Sequence, residues 1–129
     1  MNLIKLKNEF FKKKINKTNY IKKIYYKYHD LLFQYSDLIV KTDIQKIEIT
    51  STGVKMTSKK FGVNMVLPTQ DHRSAPLECI NFNSCEEKEL EVIMQLLPKQ
   101  GNFIDIGANI GWHSLIIAKK FKKINVYAF

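Results

Sequence analysis

The chain has 129 residues, enough for one domain, and its 45% hydrophobic and 26% charged residues are ordinary for a globular protein. No apolar run approaches the roughly 18 residues of a membrane-spanning helix, and the basic start lacks the apolar stretch and cleavage site of a signal peptide, so we expect a cytoplasmic protein. The formal charge of +9 is concentrated at the N-terminus, because residues 1–27 hold nine lysines and one acidic residue.

The basic residues and the cysteines exclude two kinds of site. Only Arg73 among the 21 basic residues is an arginine, the residue on which specific phosphate and base recognition usually depends, so no nucleic-acid partner is expected. Cys79 and Cys85 have no neighbouring His or Cys cluster, and a zinc site needs about four ligands, so no metal site is expected. We favour two free thiols in a reducing compartment over a disulfide, which would require export and suitable placement.

An amphipathic helix is predicted over residues 20–39, where apolar side chains recur at helical spacing with lysines on the other faces. The lysine-rich residues 5–17 are predicted to form a weaker helix or a frayed arm. We treat residues 1–42 as a basic helical extension. Its apolar face suits packing against the rest of a larger protein, or peripheral contact with a membrane or a partner through residues 1–40.

Residues 43–83 are predicted to form a small antiparallel β-meander and a loop. Apolar residues alternate with polar ones over residues 44–49, and a Ser-Thr-Gly turn follows at residues 51–53. Two more alternating runs lie on either side of a turn at residues 59–62. The sequence PTQDHRSAP at residues 68–76 has a proline at each end and is predicted to be a polar loop.

Residues 84–129 are predicted to hold a helix followed by a βαβ unit. Ser84 and Glu87 have the spacing of a capping box, in which the hydroxyl accepts from the amide of residue 87 and the carboxylate reaches back. The strand NFIDIG, a helix over about residues 109–122 and the buried strand INVYAF follow, with parallel strands and a right-handed crossover expected. The second helix is predicted to bury Ile110, Leu115, Ile116, Ala118 and Phe121.

The turn after the strand NFIDIG carries the candidate chemistry, because ligands of such sheets bind at the carboxyl ends of the strands. Its pattern is Asp-x-Gly-x-x-x-Gly at Asp105, Gly107 and Gly111. The dinucleotide fingerprint GxGxxG would need glycines in place of Asn109 and Trp112, and a P-loop would need a lysine. We therefore favour a ligand with an amino-acid end: Asp105 attracts an ammonium group, Gly107 admits the ligand to the backbone, and Gly111 lets the helix start close to the strand.

The sequence FIDIGANIGWHSL, with the helix and the strand VYAF after it, resembles motif I and the approach to motif II of class I S-adenosylmethionine-dependent methyltransferases. More narrowly, DIGANIG with Ser114 three residues on is similar to the FkbM family. The resemblance covers about residues 84–129. Two upstream features are also similar to that family. One is a glutamate that opens the preceding helix, Glu86 or Glu87. The other is the loop with Asp71, Arg73 and Pro76.

The resemblance implies an α/β fold of Rossmann-like type, of which this chain is the N-terminal part. It implies S-adenosyl-L-methionine as cofactor and methylation of a hydroxyl on a sugar or secondary metabolite, so the expected partner is a small-molecule or glycan acceptor. The cofactor would lie against Asp105, Gly107, Asn109, Gly111 and Glu86. The family's ribose-binding acid would follow Phe129 directly, so this chain is expected to be an inactive fragment without its catalytic base.

Several of these residues have structural alternatives. Asp105 would otherwise be the polar end of a buried strand, and Asn109 can cap the helix start as well as contact the cofactor. His113 is interpreted as a surface or packing histidine. Asp71 and Arg73 are interpreted as an ion pair within their loop.

Two other functions fit parts of the sequence. One is an NAD-type nucleotide-binding protein, against which the missing fingerprint glycines argue. The other is a non-enzymatic module that binds a membrane or a partner through its basic helix. Whatever its function, the chain is expected to be marginally stable or to aggregate, because two parallel strands and a small meander leave sheet edge and a helix face uncovered.

Overall fold

The computed structural model describes residues 2–71 and 73–129, and His72, to which the sequence assigns no role, lies outside the described residues. The chain divides into two compact units, one ending at Val40 and the other beginning at Lys41. Helices and small sheets are combined, in agreement with the predicted α/β class. No helix in the described part of the chain is long and apolar enough to cross a membrane.

The N-terminal unit is helical: α1 (Leu3–Phe11), α2 (Lys17–Ile24), a π-helical turn (Tyr25–His29) and α3 (Asp30–Ile39). Asn2 and Asn16 cap α1 and α2, since each side-chain oxygen accepts a 2.8 Å hydrogen bond from the backbone amide three residues on. Phe10 and Tyr20 stack with ring centroids 4.5 Å apart and join α1 to α2. The helix predicted over residues 20–39 is confirmed, with the π-helical turn inside it, and the lysine-rich stretch before it forms α1 and not a frayed arm.

The predicted meander is confirmed as three antiparallel strands in the order β1 (Ile44–Thr50), β2 (Gly53–Ser58) and β3 (Asn64–Val66). Met56 of β2 pairs with Met65 of β3, and both side chains are buried. Gly53 forms the β1–β2 turn at φ 132°, and the Thr50 hydroxyl donates to its carbonyl at 2.8 Å. The β2–β3 turn contacts the helices of this unit through Lys60, Phe61 and Gly62.

The loop predicted over residues 68–76 is confirmed except at its last two residues, where α4 (Ala75–Phe82) begins. Ser74 precedes the helix as its N-cap, and Pro76 stands in the first turn, where a missing N–H leaves no bond unmade. The predicted ion pair is wrong. Asp71 Oδ1 accepts from the backbone amide of Arg73 at 3.0 Å, a short-range turn bond, and no ion pair joins the two side chains in the described part of the chain.

The next helix, α5 (Glu87–Leu96), begins without the predicted capping box. Its N-cap residue is Glu86, in the left-handed conformation at φ 47°, and no side chain caps the helix. This turn follows the buried Cys85, so the Ser84 hydroxyl does not reach the first amides of the helix. The Glu87 carboxylate pairs instead with the Lys60 ammonium in the β2–β3 turn.

The predicted βαβ unit is confirmed, with β4 (Gly101–Asp105) parallel to β5 (Ile124–Ala128) and α6 (Trp112–Lys120) between them in sequence. The expectation that INVYAF forms a buried strand is wrong, because this two-stranded sheet is covered on one face only. The uncovered face and the residues that continue it expose four apolar side chains: Ile104, Ile106, Tyr127 and Phe129. This agrees with the expectation that part of the sheet stays uncovered.

The predicted buried face of α6 is confirmed at Ile116 and wrong at Leu115 and Ala118, which are exposed. The buried residues of the helix are Trp112, Ser114, Ile116 and Ile117. The helix contacts the meander as well as the sheet, so its buried arc is broader than a sheet-facing stripe. Phe61 packs edge-on against Trp112 with ring centroids 6.3 Å apart, and Lys119 Nζ donates to the Gly62 carbonyl.

Candidate functional site

Residues 106–111 connect the end of β4 to the start of α6. Gly107, Asn109 and Gly111 have positive φ angles of 77°, 51° and 80°. This left-handed region is open to glycine, tolerated by asparagine and costly for most other residues. Asn109 does not cap α6, because the N-cap position is Gly111 and no side chain caps that helix. Backbone conformation therefore explains both the glycine spacing and the asparagine.

Asp105 ends β4 with its carboxylate held from one side. The Ser114 hydroxyl, on the first turn of α6, donates to Asp105 Oδ2 at 2.6 Å, and Ser114 is itself buried. The other oxygen, Oδ1, has no hydrogen-bond partner among the described residues. The carboxylate is thus oriented by the protein and keeps one oxygen for a ligand donor.

Phe129, the residue after β5, forms hydrogen bonds with the start of the turn. The Phe129 amide donates to the Asp105 carbonyl at 2.9 Å, and the Phe129 carbonyl accepts from the amides of Gly107 and Ala108, both at 3.0 Å. A phosphate-binding turn directs such amides at its ligand. In this turn, two of them are satisfied within the protein.

The space beside Gly107 is open. A Cβ added there would meet no atom of residues 2–71 or 73–129 within 4 Å, so the ligand side of the turn is accessible down to the backbone. At Gly111 the added Cβ would meet only Leu115 Cγ, at 4.0 Å. The hypothesis that Gly111 allows a close approach of helix to strand is therefore wrong, and its φ of 80° is the reason for the glycine.

Glu86 lies beside the first turn of α6. Its Oε2 is 3.1 Å from His113 Nε2, close enough for an ion pair when the imidazole is protonated but not aligned as a hydrogen bond. The structure thus brings the glutamate predicted upstream to the helix that begins after the glycine turn. His113 is the residue that sequence reasoning missed, since it was interpreted as a surface or packing histidine. Only the proximity of two elements separated in sequence reveals its partner.

Trp112, the first residue of α6, is 3% exposed, and its indole Nε1 is buried without a hydrogen-bond partner among the described residues. A cleft of about 270 Å³ lies beside the Phe61 ring that packs on it. Its lining residues are Lys60, Phe61, Ile116, Lys119 and Lys120. The cleft does not include the glycine turn, which is an open surface.

Two sets of polar groups near the start of α5 interact among themselves: Lys60 with Glu87 and Glu91, and Cys85 with Glu78. Lys60 pairs with Glu87 and lies 3.6 Å from Glu91, and the bond to Glu87 raises the pKa of the Lys60 ammonium. The Cys85 thiol donates to Glu78 Oε2 at 3.4 Å, and hydrogen bonding with Cys79, burial and this glutamate raise its pKa. Both cysteines are free thiols.

Such a protonated, buried thiol is a poor nucleophile. No group of three or more His, Cys, Asp or Glu residues able to hold a metal ion occurs in the described ranges.

Comparison with protein-family models, with curated proteins and with solved structures finds no match to this chain.

Proposed function

We propose that this chain carries the part of an S-adenosylmethionine-dependent methyltransferase, of the O-methylating FkbM type, that binds the methionine end of the cofactor. The observation that carries the proposal is the turn after β4, where an oriented carboxylate stands beside an open glycine backbone. Asp105 is fixed by Ser114 on one oxygen only, and none of the described residues occupies the space beside Gly107.

The ligand chemistry follows from these two features. A half-buried carboxylate with a vacant acceptor attracts an ammonium group through a charge-assisted hydrogen bond. The amino-acid end of S-adenosylmethionine provides that ammonium, and the open backbone at Gly107 leaves room for the rest of the ligand. When bound, the cofactor supplies an electrophilic methyl group. The residues of this chain would bind and orient it, and Glu86 adds a second carboxylate beside the same helix.

The alternative of an NAD-type dinucleotide site has less support. Asn109 and Trp112 occupy positions where the fingerprint has glycine. The backbone amides of Gly107 and Ala108 already donate hydrogen bonds to the Phe129 carbonyl. A pyrophosphate would have to displace those bonds, whereas an ammonium ligand would not. The acceptor for methyl transfer is proposed to be a hydroxyl on a sugar or a small metabolite, held in line with the methyl carbon and deprotonated by a base outside the turn.

Isothermal titration of the chain with S-adenosylmethionine tests the proposal. We expect measurable binding that Asp105→Asn weakens roughly tenfold or more, the usual cost of losing a hydrogen bond to a charged group. Asp71→Asn, an exposed carboxylate in the loop before α4, is the matched control and should bind like the wild type. Equal affinity of both variants, or tighter binding of NAD⁺ than of S-adenosylmethionine, would exclude the proposed site.

A further inference from the structure

The N-terminal unit exposes apolar side chains along a long helix. The helical backbone is continuous from Lys17 to Ile39, about 35 Å at 1.5 Å per residue, and none of its side chains is buried. The exposed large apolar residues on it are Ile21, Tyr25, Tyr26, Leu31, Leu32, Phe33, Tyr35 and Leu38. A monomeric protein rarely leaves so many large apolar side chains of one helix in water without a binding partner.

The same unit is strongly cationic and rich in tyrosine. Nine lysines against three acidic residues leave a net charge of +6 over residues 1–40. Five of the six tyrosines of the chain lie within residues 20–35. Tyrosine favours the boundary between lipid and water, and lysine can bury its stem while its ammonium stays in water.

We propose that the N-terminal unit binds the surface of an anionic lipid bilayer, with α2, the π turn and α3 lying in the interfacial plane. An interfacial helix needs an apolar face for shallow insertion and cations for the headgroups, and both are present on these helices. This inference does not depend on the proposed methyltransferase function.

The charge of the unit decides between the possible occupants of the apolar face. A second copy of the chain would bring two surfaces of +6 together, which is unfavourable. A folded acidic protein or a phosphopeptide is usually bound by arginine, whose planar fork matches carboxylate and phosphate geometry, and this unit has only lysine. A fluid layer of anionic headgroups imposes no fixed hydrogen-bond geometry, so the lysine ammonium groups can bind it through charge alone.

Sedimentation of the full chain with lipid vesicles tests the proposal. Vesicles of phosphatidylcholine mixed in equal parts with phosphatidylserine should bind the chain, and phosphatidylcholine alone should bind it far more weakly. High salt should reverse the binding. The triple variant Lys17→Gln, Lys22→Gln, Lys23→Gln should lose roughly fivefold per lysine, on the order of a hundredfold in all. Glutamine has nearly the helix propensity of lysine, so the helix is retained.

The matched control is Lys99→Gln, Lys122→Gln, Lys123→Gln, which removes the same charge from exposed positions in the other unit and should bind vesicles like the wild type. A fluorescent reporter tests insertion separately. Trp112 is buried and is the only native tryptophan, so its emission is a constant background. Tyr26→Trp should shift to shorter wavelength on anionic vesicles, and Tyr127→Trp should not.

Equal binding to neutral and anionic vesicles, or no binding to either, would overturn the proposal. So would the same loss of affinity in both lysine variants. Binding to polyglutamate in preference to anionic vesicles would replace the bilayer with an acidic polypeptide as the partner.

Discussion

Gly107 is the residue at which backbone conformation and ligand access can be separated. Its φ of 77° disfavours any side chain, yet an added Cβ would meet no atom within 4 Å in the part of the chain that the structure describes. We expect Gly107→Ala to cost about 1 kcal/mol of folding free energy, the strain of a non-glycine residue in this region. It should abolish binding of S-adenosylmethionine, because the new methyl group occupies the ligand side of the turn.

The matched control is Gly53→Ala, at the positive-φ turn between β1 and β2. It should lower the urea midpoint by at least as much and leave the affinity unchanged. Loss of binding in both variants would mean that general destabilisation, and not the turn, governs the affinity.

The Cys85 thiol predicts the direction in which the stability of the fold changes with pH. Hydrogen bonding with Cys79 and burial raise the pKa of its thiol above the ordinary value of 9.0 in the folded state. Below about pH 9 both the folded and unfolded thiols are protonated and stability is complete. Above that pH the unfolded thiol ionises first, so stability falls as pH rises. Urea midpoints at pH 8 and pH 10 should differ more for the wild type than for Cys85→Ala.

An equal fall in the midpoint of the two proteins would assign the loss of stability to other groups. Alkylation gives an independent measure, since iodoacetamide should modify Cys85 rapidly only after unfolding.

At the residue scale, the sequence predicts what depends on local spacing. The interval from Asp105 to Gly111 is a pattern within one turn, so its position at the end of a strand could be predicted and is confirmed. The contact of His113 with Glu86 depends on a left-handed residue before α5 and on the placement of α6. Neither is visible in the side-chain pattern, which is why the histidine was assigned to packing.

At the element scale, the β2–β3 turn secures the meander to the helices. We expect Phe61→Ala to lower the free energy of unfolding by about 2 kcal/mol, because a half-buried aromatic side chain is removed together with its edge-on contact to Trp112. Chemical denaturation measures the change. Phe82→Ala is the control, since that ring is 72% exposed and its loss should change stability by less than about 0.5 kcal/mol. Similar costs at both positions would refute the docking role of the turn.

The elements themselves were predictable where one period dominates. The alternation in β1 and β2 and the helical spacing over residues 20–39 each gave the correct structure. The helix α4 was missed because Pro76 marks a helix start as readily as a loop end. The capping box at Ser84 failed because the chain turns at Glu86 first, directly after the buried Cys85, whose thiol donates to Glu78.

At the scale of the whole molecule, the uncovered sheet face predicts self-association. Ile104 and Tyr127 are paired in register on that face and are 60% and 48% exposed. We expect the average mass in sedimentation experiments to rise with concentration. The double variant Ile104→Thr, Tyr127→Thr should remain monomeric to higher concentration. Ile49→Thr, on an exposed position of β1, should associate like the wild type, and identical behaviour of all three proteins would rule out this face.

The α/β class and the order of the elements other than α4 could be predicted, because those segments show their own period. Which faces of the strands and helices are buried could not be predicted. Whether β4 and β5 are covered on one face or two, and which arc of α6 is buried, depends on neighbours far along the chain, as the contact of Phe61 with Trp112 illustrates. A wider Rossmann-like sheet and the methyltransferase function stay proposals.

The most direct test of the proposed cofactor site is an NMR titration of the ¹⁵N-labelled chain with S-adenosylmethionine. The chain has five glycines, so their amide signals are few and serve as internal controls. We expect saturable shifts at Gly107 and Gly111, none at Gly53 or Gly62, and in Asp105→Asn the same shifts only at roughly tenfold or higher ligand concentration. No shift at the two turn glycines, or equal shifts with NAD⁺, would contradict the proposed cofactor site.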